Sequence, residues 1–169
     1  MVKFRILPLL ALVSAAALPA AADVALPALL SNHAVLQKSA RTRVWGKADP
    51  GEKVAVTLGA ATGRAVTGAD GKWSAELNLS ESKPGPFELV VQGKNRIAVP
   101  DVVVGEVWVA SGQSNMEFLL RSTLGAKEEI AGSANPMLRQ FLVKKAASLQ
   151  PLDECQGAWI VAAPETSGE

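Results

Sequence analysis

Apolar and polar residues alternate along much of the segment between Asp23 and Pro100, and this alternation predicts a series of short β-strands. A period of two places one face of each strand on a core and the other toward water. The alternating apolar positions are Val54, Val56 and Leu58; Trp73, Ala75, Leu77 and Leu79; and Phe87, Leu89 and Val91. Two further strand candidates cover Arg41–Lys47 and the residues around Ala65 and Val66.

Turn-forming residues separate these candidate strands. Residues 49–52, Asp-Pro-Gly-Glu, favour a turn because Pro presets φ and Gly accepts the positive φ that follows. Asp70-Gly71 predicts a two-residue hairpin, and the Pro-Gly-Pro of residues 84–86 interrupts the pattern. Strands at a spacing of roughly 8–12 residues with such turns predict a small antiparallel β-sandwich.

The pattern changes after Pro100. Residues 102–110 form a nearly continuous apolar run, which is typical of a strand buried on both faces of a parallel sheet. A turn follows at residues 111–113, and then a predicted helix over Ser114–Arg121 with apolar residues at helical spacing. A buried strand, a tight glycine turn and a helix form the opening unit of a doubly wound α/β domain.

A second short helix is predicted over Ala126–Ala131 and a further strand over Leu138–Val143. We therefore predict an all-β accessory domain over residues 23–100 and the start of an α/β domain over residues 101–169. The second segment provides two or three sheet strands, whereas doubly wound sheets usually need about five. We expect that domain to be incomplete here, and to have little stability without its remainder.

Residues 1–22 have the layout of a secretory signal peptide. A basic start is followed by the apolar run Ile6–Leu18, and Ala20 and Ala22 provide the small residues that signal peptidase accepts. The alternative, a membrane anchor, is disfavoured because the apolar run is shorter than the ~20 residues that span a bilayer. The sequence therefore predicts a secreted or periplasmic protein that has no membrane attachment after cleavage.

Charge and cysteine content narrow the possible partners. Without residues 1–22 the chain carries 15 basic and 16 acidic residues, a formal net charge of −1. This balance gives no reason to expect a nucleic-acid partner or an anionic membrane. Cys155 is the single cysteine, so no internal disulfide forms. No His/Cys cluster has metal-ligand spacing, and neither a metal nor a cofactor is implied.

The segment around Ser114 carries the candidate chemistry. A serine at the carboxyl end of a parallel strand lies where open α/β sheets place their ligands. Gly112 has no Cβ to clash in the sharp turn that must precede the helix. The predicted helix N-terminus offers unpaired N–H groups, which can stabilise the oxyanion formed when a serine attacks an ester carbonyl.

A structural interpretation of the same residues remains open. Ser114 and Glu117 fit the S-x-x-E capping box, in which the serine caps a helix and the glutamate bonds back to its backbone. The segment also lacks the second glycine of G-x-S-x-G, so it is not the nucleophile elbow of α/β-hydrolases.

Residues 104–117, Val-Gly-Glu-Val-Trp-Val-Ala-Ser-Gly-Gln-Ser-Asn-Met-Glu, resemble the nucleophile block of sialate O-acetylesterases. These enzymes belong to the SGNH hydrolase group, which also contains acetylxylan esterases. Residues 32–37, 44–46 and 50–54 resemble the N-terminal β-domain of that family, and residues 153–159 resemble the stretch toward its next sheet strand. The similarity covers about residues 24–163, in order.

The resemblance implies a secreted carbohydrate esterase with Ser114 as its nucleophile and the Ser114 N–H in the oxyanion hole. Gln113 and Asn115 would contact the substrate or hold the turn, and Gly112 would be a structural turn residue. The substrate would be sialic acid or another acetylated glycan, with no cofactor and no metal. The family's general base and acid, in a block of the form Asp-x-x-His, are absent from this chain. The missing C-terminal part of the domain is therefore an expected partner, and the isolated chain is expected to be inactive.

The other residues considered have plainer interpretations. His33, the single histidine, lies about eighty residues before Ser114 and is expected to be structural. Core packing is the better interpretation of the four tryptophans, although each could stack on a sugar ring. The rival function is a non-catalytic β-module that binds glycan or a partner protein, because the β-domain pattern is complete and the catalytic one is not.

Overall fold

The computed structural model describes residues 23–168, so the predicted signal peptide lies outside the described residues. The described chain is rich in β-sheet and has few helices. The strands are β1 (Val35–Gln37), β2 (Thr42–Lys47), β3 (Lys53–Leu58), β4 (Ala61–Val66), β5 (Lys72–Leu77), β6 (Phe87–Gln92), β7 (Arg96–Gly105), β8 (Asn135–Val143) and β9 (Gly157–Ala162). The helical elements are α1 (Ala126–Ala131) and short 3₁₀ helices at Ala28–Leu30, Ser114–Glu117 and Leu120–Ser122.

Five strands form the main sheet in the order β1-β7-β6-β3-β4. β1 runs parallel to β7, and the other neighbours are antiparallel. β3 and β4 form a hairpin in which Leu58 opposes Ala61 across the two-residue loop Gly59-Ala60. Gly59 has a φ of 57°, and a glycine at the first central position is what a type II′ hairpin turn requires.

β2 and β5 form a second, antiparallel sheet that shares a core with the first. The two sheets meet along β4 and β5, where a Cβ at Gly63 would lie 2.6 Å from the carbonyl oxygen of Glu76. The sheets therefore curl around one apolar interior, and the predicted all-β character of this region is confirmed. The fully buried side chains include Leu77, Leu79, Leu89, Val44, Val54, Val56, Val91, Val102 and Val103.

The structure confirms one predicted turn in full and another only in part. At residues 49–52 the N–H of Glu52 donates to the carbonyl of Asp49, and Gly51 has a φ of 79°, so this turn is confirmed. Asp70-Gly71 also lies in a turn, but the predicted hairpin is wrong. β4 pairs with β3 and β5 pairs with β2, because the chain crosses between the two sheets at this point.

The predicted buried strand over residues 102–110 is correct only as far as Gly105. Val102, Val103 and Val104 are buried in β7, between β1 and β6. Residues 106–110 form no strand and are exposed. β7 also passes without interruption through Pro100-Asp101, so residues up to Gly105 belong to the main sheet. The division of the chain into two domains stays a prediction.

Beyond Gly105 the described chain has little regular structure. The helix predicted over Ser114–Arg121 is wrong, because two exposed 3₁₀ turns occupy that segment. The helix predicted over Ala126–Ala131 is confirmed, and the strand predicted over Leu138–Val143 is part of β8. β8 and β9 pair antiparallel, and residues 23–168 contain no parallel β-α-β unit. The doubly wound sheet and the β-sandwich both stay predictions. No helix within residues 23–168 is long and apolar enough to cross a membrane.

Candidate active site

Gln37, the last residue of β1, fixes the start of the segment that leads to Ser114. Its side-chain Nε2 donates to Glu106 Oε2 at 2.9 Å, and its Oε1 accepts the N–H of Val107 at 2.8 Å. These two bonds hold the chain where it leaves the end of β7. The carboxylate of Glu106 is therefore bonded to Gln37 and not to Ser114.

Ser114 is the first residue of the 3₁₀ helix Ser114–Glu117 and is exposed to solvent. Gln113 and Asn115 flank it and are exposed as well. Among the described residues, none of these three side chains has a hydrogen-bond partner. The structure thus places the three predicted site residues together on an open surface, with their polar groups available to a ligand.

The capping-box interpretation of Ser114 and Glu117 is not supported. Gln113, and not Ser114, occupies the cap position, and no side chain bonds to the backbone there. Glu117 forms an ion pair with Lys145 at 2.6 Å, so it does not reach back to the start of the turn. The expected α-helix N-terminus is also absent, because the element at Ser114 is a single 3₁₀ turn.

Gly112 leaves space for the side chain of Met116. Its φ is not in the left-handed region, so no special backbone conformation requires glycine. A Cβ at this position would instead lie 2.6 Å from Cγ of Met116. A larger residue would therefore displace Met116 and change the short turn that carries Ser114.

His33 is tied to a different part of the molecule. Its Nδ1 lies 2.5 Å from Asp101 Oδ2, and Nδ2 of Asn32 lies 3.1 Å from its Nε2. Both ring nitrogens thus have partners, and neither partner is Ser114. The structural interpretation of His33 agrees with this arrangement, and the described residues bring no base to the Ser114 hydroxyl.

Asp101, in β7, links the main sheet to the β8–β9 hairpin, a role that the sequence did not suggest. Arg139, whose side chain is only 2% exposed, donates from Nη2 to Asp101 Oδ1 at 2.8 Å and from Nη1 to the Asp101 carbonyl. His33 and Asp101 have φ values of 68° and 54°. Residues other than glycine adopt this left-handed backbone conformation only at a cost in free energy. Burial raises the pKa of Asp101, but the hydrogen bonds from Arg139 and His33 outweigh it and hold the pKa below its usual value.

The tryptophans do not share one environment. Trp73 lies in the core and donates from Nε1 to the Lys47 carbonyl at 3.2 Å. Trp159 packs against that core, donates to the Leu29 carbonyl at 3.0 Å, and meets Phe141 edge to face at 5.4 Å. Core packing is therefore correct for these two. It is wrong for Trp45 and Trp108, which are 37% and 87% exposed.

No group of three or more His, Cys, Asp and Glu residues that could hold a metal occurs within residues 23–168. Cys155 is free and half-buried. The described surface around Ser114 thus offers a hydroxyl, two amide side chains and backbone N–H groups. That set can bind and attack a carbonyl but needs a base from elsewhere.

The chain is similar to curated sialate O-acetylesterases, although no family model matches it. It is 34% identical to that of Mus musculus over 139 residues, which cover 74% of this chain and 25% of the relative. It is 31% identical to that of Rattus norvegicus over 153 residues, which cover 82% of this chain and 28% of the relative. A match of either extent in a chain of 169 residues must include Ser114.

The fold is similar to part of a solved carbohydrate acetylesterase. A crystal structure of such an enzyme from Xanthomonas citri matches this chain with a TM-score of 0.81 and 36% sequence identity, covering 86% of this chain and 34% of that one. With the curated relatives, this places the chain in the sialate O-acetylesterase family. The chain spans about a quarter of the length of the curated relatives it matches.

Proposed function

We propose that this chain supplies the nucleophile segment of a carbohydrate O-acetylesterase, with Ser114 as the nucleophile. The observation that carries the proposal is the similarity to acetylesterases over a segment that includes Ser114. The exposure of Ser114, and the absence of a partner for its hydroxyl among the described residues, support it because a nucleophile must be accessible to the ester.

In the proposed reaction Ser114 Oγ attacks the acetyl carbonyl carbon while a base takes its proton. The bond between that carbon and the sugar oxygen then breaks, and the sugar oxygen takes up a proton. Water hydrolyses the resulting acetyl-serine and releases acetate. The Ser114 N–H has no acceptor among the described residues and would donate to the oxyanion. Gln113 and Asn115 would donate to the substrate.

The base and the acid are proposed to come from outside the described residues. His33 is the single histidine of the chain and is bonded to Asp101. Glu117 is paired with Lys145, and Glu106 with Gln37. The relatives' names point to an O-acetylated sugar, sialic acid among them, as the substrate class. An SGNH-type α/β domain would provide the missing groups, and no cofactor enters the proposed reaction.

Secretion to the periplasm or the medium is part of the proposal and depends on the pattern of residues 1–22. The N-terminal sequence of the protein recovered from the periplasm or medium tests it. We expect that sequence to begin at Asp23. Recovery of the uncleaved chain from the cytosol alone would contradict it.

The catalytic proposal is tested with a chimera in which this chain replaces the matching segment of the mouse relative. We expect the chimera to hydrolyse acetyl esters, and S114A to lower kcat/KM by at least about 10³-fold, because nucleophile and base act as a unit. S111A removes a hydroxyl from the same exposed segment and should leave the rate within about twofold. The chain alone should show no turnover, since a base contributes about 10²–10⁴-fold. Equal rates for S114A and the unmodified chimera would refute the proposal.

A further inference from the structure

A cleft of about 740 Å³ lies on the outer face of the β2–β5 sheet. Alternation along β2 places Val44 in the core and directs Arg43, Trp45 and Lys47 outward. Trp45 lies opposite Ser74 in the register, and Lys47 lies opposite Lys72. The floor of the cleft is thus an indole with polar side chains on either side of it.

The two walls come from distant parts of the chain. One is the segment Ala25–Pro27, which is held to the edge of β2 by paired backbone hydrogen bonds between Ala25 and Lys47 at 2.9 and 3.0 Å. Gly46 permits this approach, since a Cβ there would lie 2.1 Å from the Ala25 carbonyl oxygen. The other wall is Asp153 and Glu154, from the loop between β8 and β9.

Trp45 differs from the two tryptophans that pack in or against the core. The indole N–H groups of Trp73 and Trp159 both donate to backbone carbonyls. The N–H of Trp45 has no acceptor within residues 23–168, and its side chain remains 37% exposed inside a concave site. A tryptophan with one open face and a free donor offers a ligand both an apolar surface and a hydrogen bond.

The charged side chains that line the cleft carry no net charge. Arg43, Lys47 and Lys72 oppose three carboxylates, those of Asp70, Asp153 and Glu154. Lys47 pairs with Glu154 at 2.6 Å and Lys72 pairs with Asp153 at 2.9 Å. A site without net charge gives little attraction to an anion, but its paired groups present donors and acceptors side by side. Adjacent hydroxyl groups, each of which both donates and accepts, match that pattern.

We propose that this cleft binds a neutral sugar residue of a glycan chain, with the pyranose ring stacked on Trp45. The C–H face of a pyranose is apolar and fits the indole, while its equatorial hydroxyls reach Arg43, Ser74 and the paired charges at the rim. Sugar binding here does not require Ser114, so the site is separate from the proposed esterase reaction and stands if that reaction is disproved.

Calorimetric titration of the full chain with xylohexaose, cellohexaose and mannohexaose tests the proposal, with sialyllactose as the anionic probe. We expect at least one neutral hexasaccharide to bind with a Kd of about 1 mM or tighter. W45A should weaken that binding at least about tenfold, because removal of an anchoring tryptophan is costly. W45F, which keeps a ring, should bind within about threefold of the unmodified chain.

Two control variants make the result specific. W108A removes an exposed indole outside the cleft, and S114A removes the proposed nucleophile; neither should change the affinity. Unchanged thermal unfolding of W45A would show that lost binding is not lost folding. Failure of all three neutral probes to bind at 1 mM, equal binding by W45A, or tighter binding of sialyllactose through Trp45 would each overturn the proposal.

Discussion

Residues 23–105 and residues 106–168 bury their apolar side chains to very different extents. Each apolar side chain that is fully buried within the described chain belongs to the first region, from Val24 to Val104. The second region instead exposes large apolar residues, among them Trp108, Val109, Leu124 and Leu149. The first region therefore has its own core. The second is held to it by contacts of Arg139 and Trp159 and by the ion pairs of Asp153 and Glu154 with lysines of the first region.

This difference matters for the function. The nucleophile candidate Ser114 lies in the region that lacks a core, and the cleft around Trp45 lies mainly on the region that has one. We therefore expect the β-domain to bind ligand in the isolated chain and the esterase chemistry to require additional structure around Ser114. The following experiments test the contrast between the two regions.

Hydrogen exchange should show the largest difference. The N–H of Val103 donates to the Ala34 carbonyl at 2.9 Å inside the sheet, whereas Val109 is 93% exposed and outside any strand. Because core amides exchange only on global opening, Val103 should be protected at least about 10³-fold more than Val109. Mass spectrometry or NMR on the full chain measures this ratio. Similar protection at both positions would contradict the contrast.

A matched pair of leucine truncations should differ by several kcal/mol. L77A removes a side chain that is fully buried, and we expect it to lower the free energy of unfolding by about 3 kcal/mol. L124A removes a fully exposed side chain and should change it by less than about 0.5 kcal/mol. Urea denaturation of both variants checks the pair. An equal loss in both would mean that the second region buries Leu124 in solution.

Arg139 should contribute more to the stability of the protein than an exposed arginine does. R139A leaves Asp101 without its buried partner, and we expect it to destabilise the docked β8–β9 hairpin by about 2 kcal/mol, less than for a fully enclosed pair because Asp101 is 34% exposed. R41A breaks the exposed pair with Glu76, which solvent screens, and should destabilise the protein much less than R139A does. Exchange of β8 and β9 amides, measured in both variants, gives the two values. A larger effect for R41A would count against the docking role.

The smallest expected effect is a pH dependence of the contribution that Asp101 makes to the free energy of unfolding. The pKa of Asp101 is lowered, so its contribution is present above the ordinary carboxyl pKa of about 3.9 and is lost as the pH falls through the lowered value. D101N removes the titration, and asparagine tolerates the left-handed backbone. The difference in unfolding free energy between the two proteins should shrink as the pH falls below about 4. A difference that grows on acidification would reverse the assigned sign.

The sequence predicted the strands of residues 23–105 better than the segment that carries Ser114. Period-two alternation located β2, β3, β5 and β6 because each of these strands has one face on a core. The Asp70-Gly71 signal described the turn correctly, but a local pattern does not reveal that the flanking strands pair in different sheets. The hairpin at Gly59-Ala60 was missed because Gly-Ala is a weaker turn signal than Asp-Gly.

The sequence selected the candidate site residues, but it did not predict their local structure. The Gly-Gln-Ser-Asn-Met sequence selected Gly112–Met116, and the structure places these residues together and exposed. The helix expected after them does not form, and the strand expected before them ends at Gly105, beyond which Val107 and Val109 are exposed. Asp101 and Arg139 gave no signal at all, since a contact between positions 38 residues apart follows from tertiary structure alone.

Covalent trapping would show whether Ser114 accepts the acyl group. The chimera with the mouse relative would be treated with a serine-reactive fluorophosphonate and digested, and the modified residue assigned by fragment masses. We expect one adduct on Ser114, its loss in S114A, and its retention in S111A. An inactivated chimera that carries the adduct on Ser111 or on any other residue, with Ser114 unmodified, would contradict it.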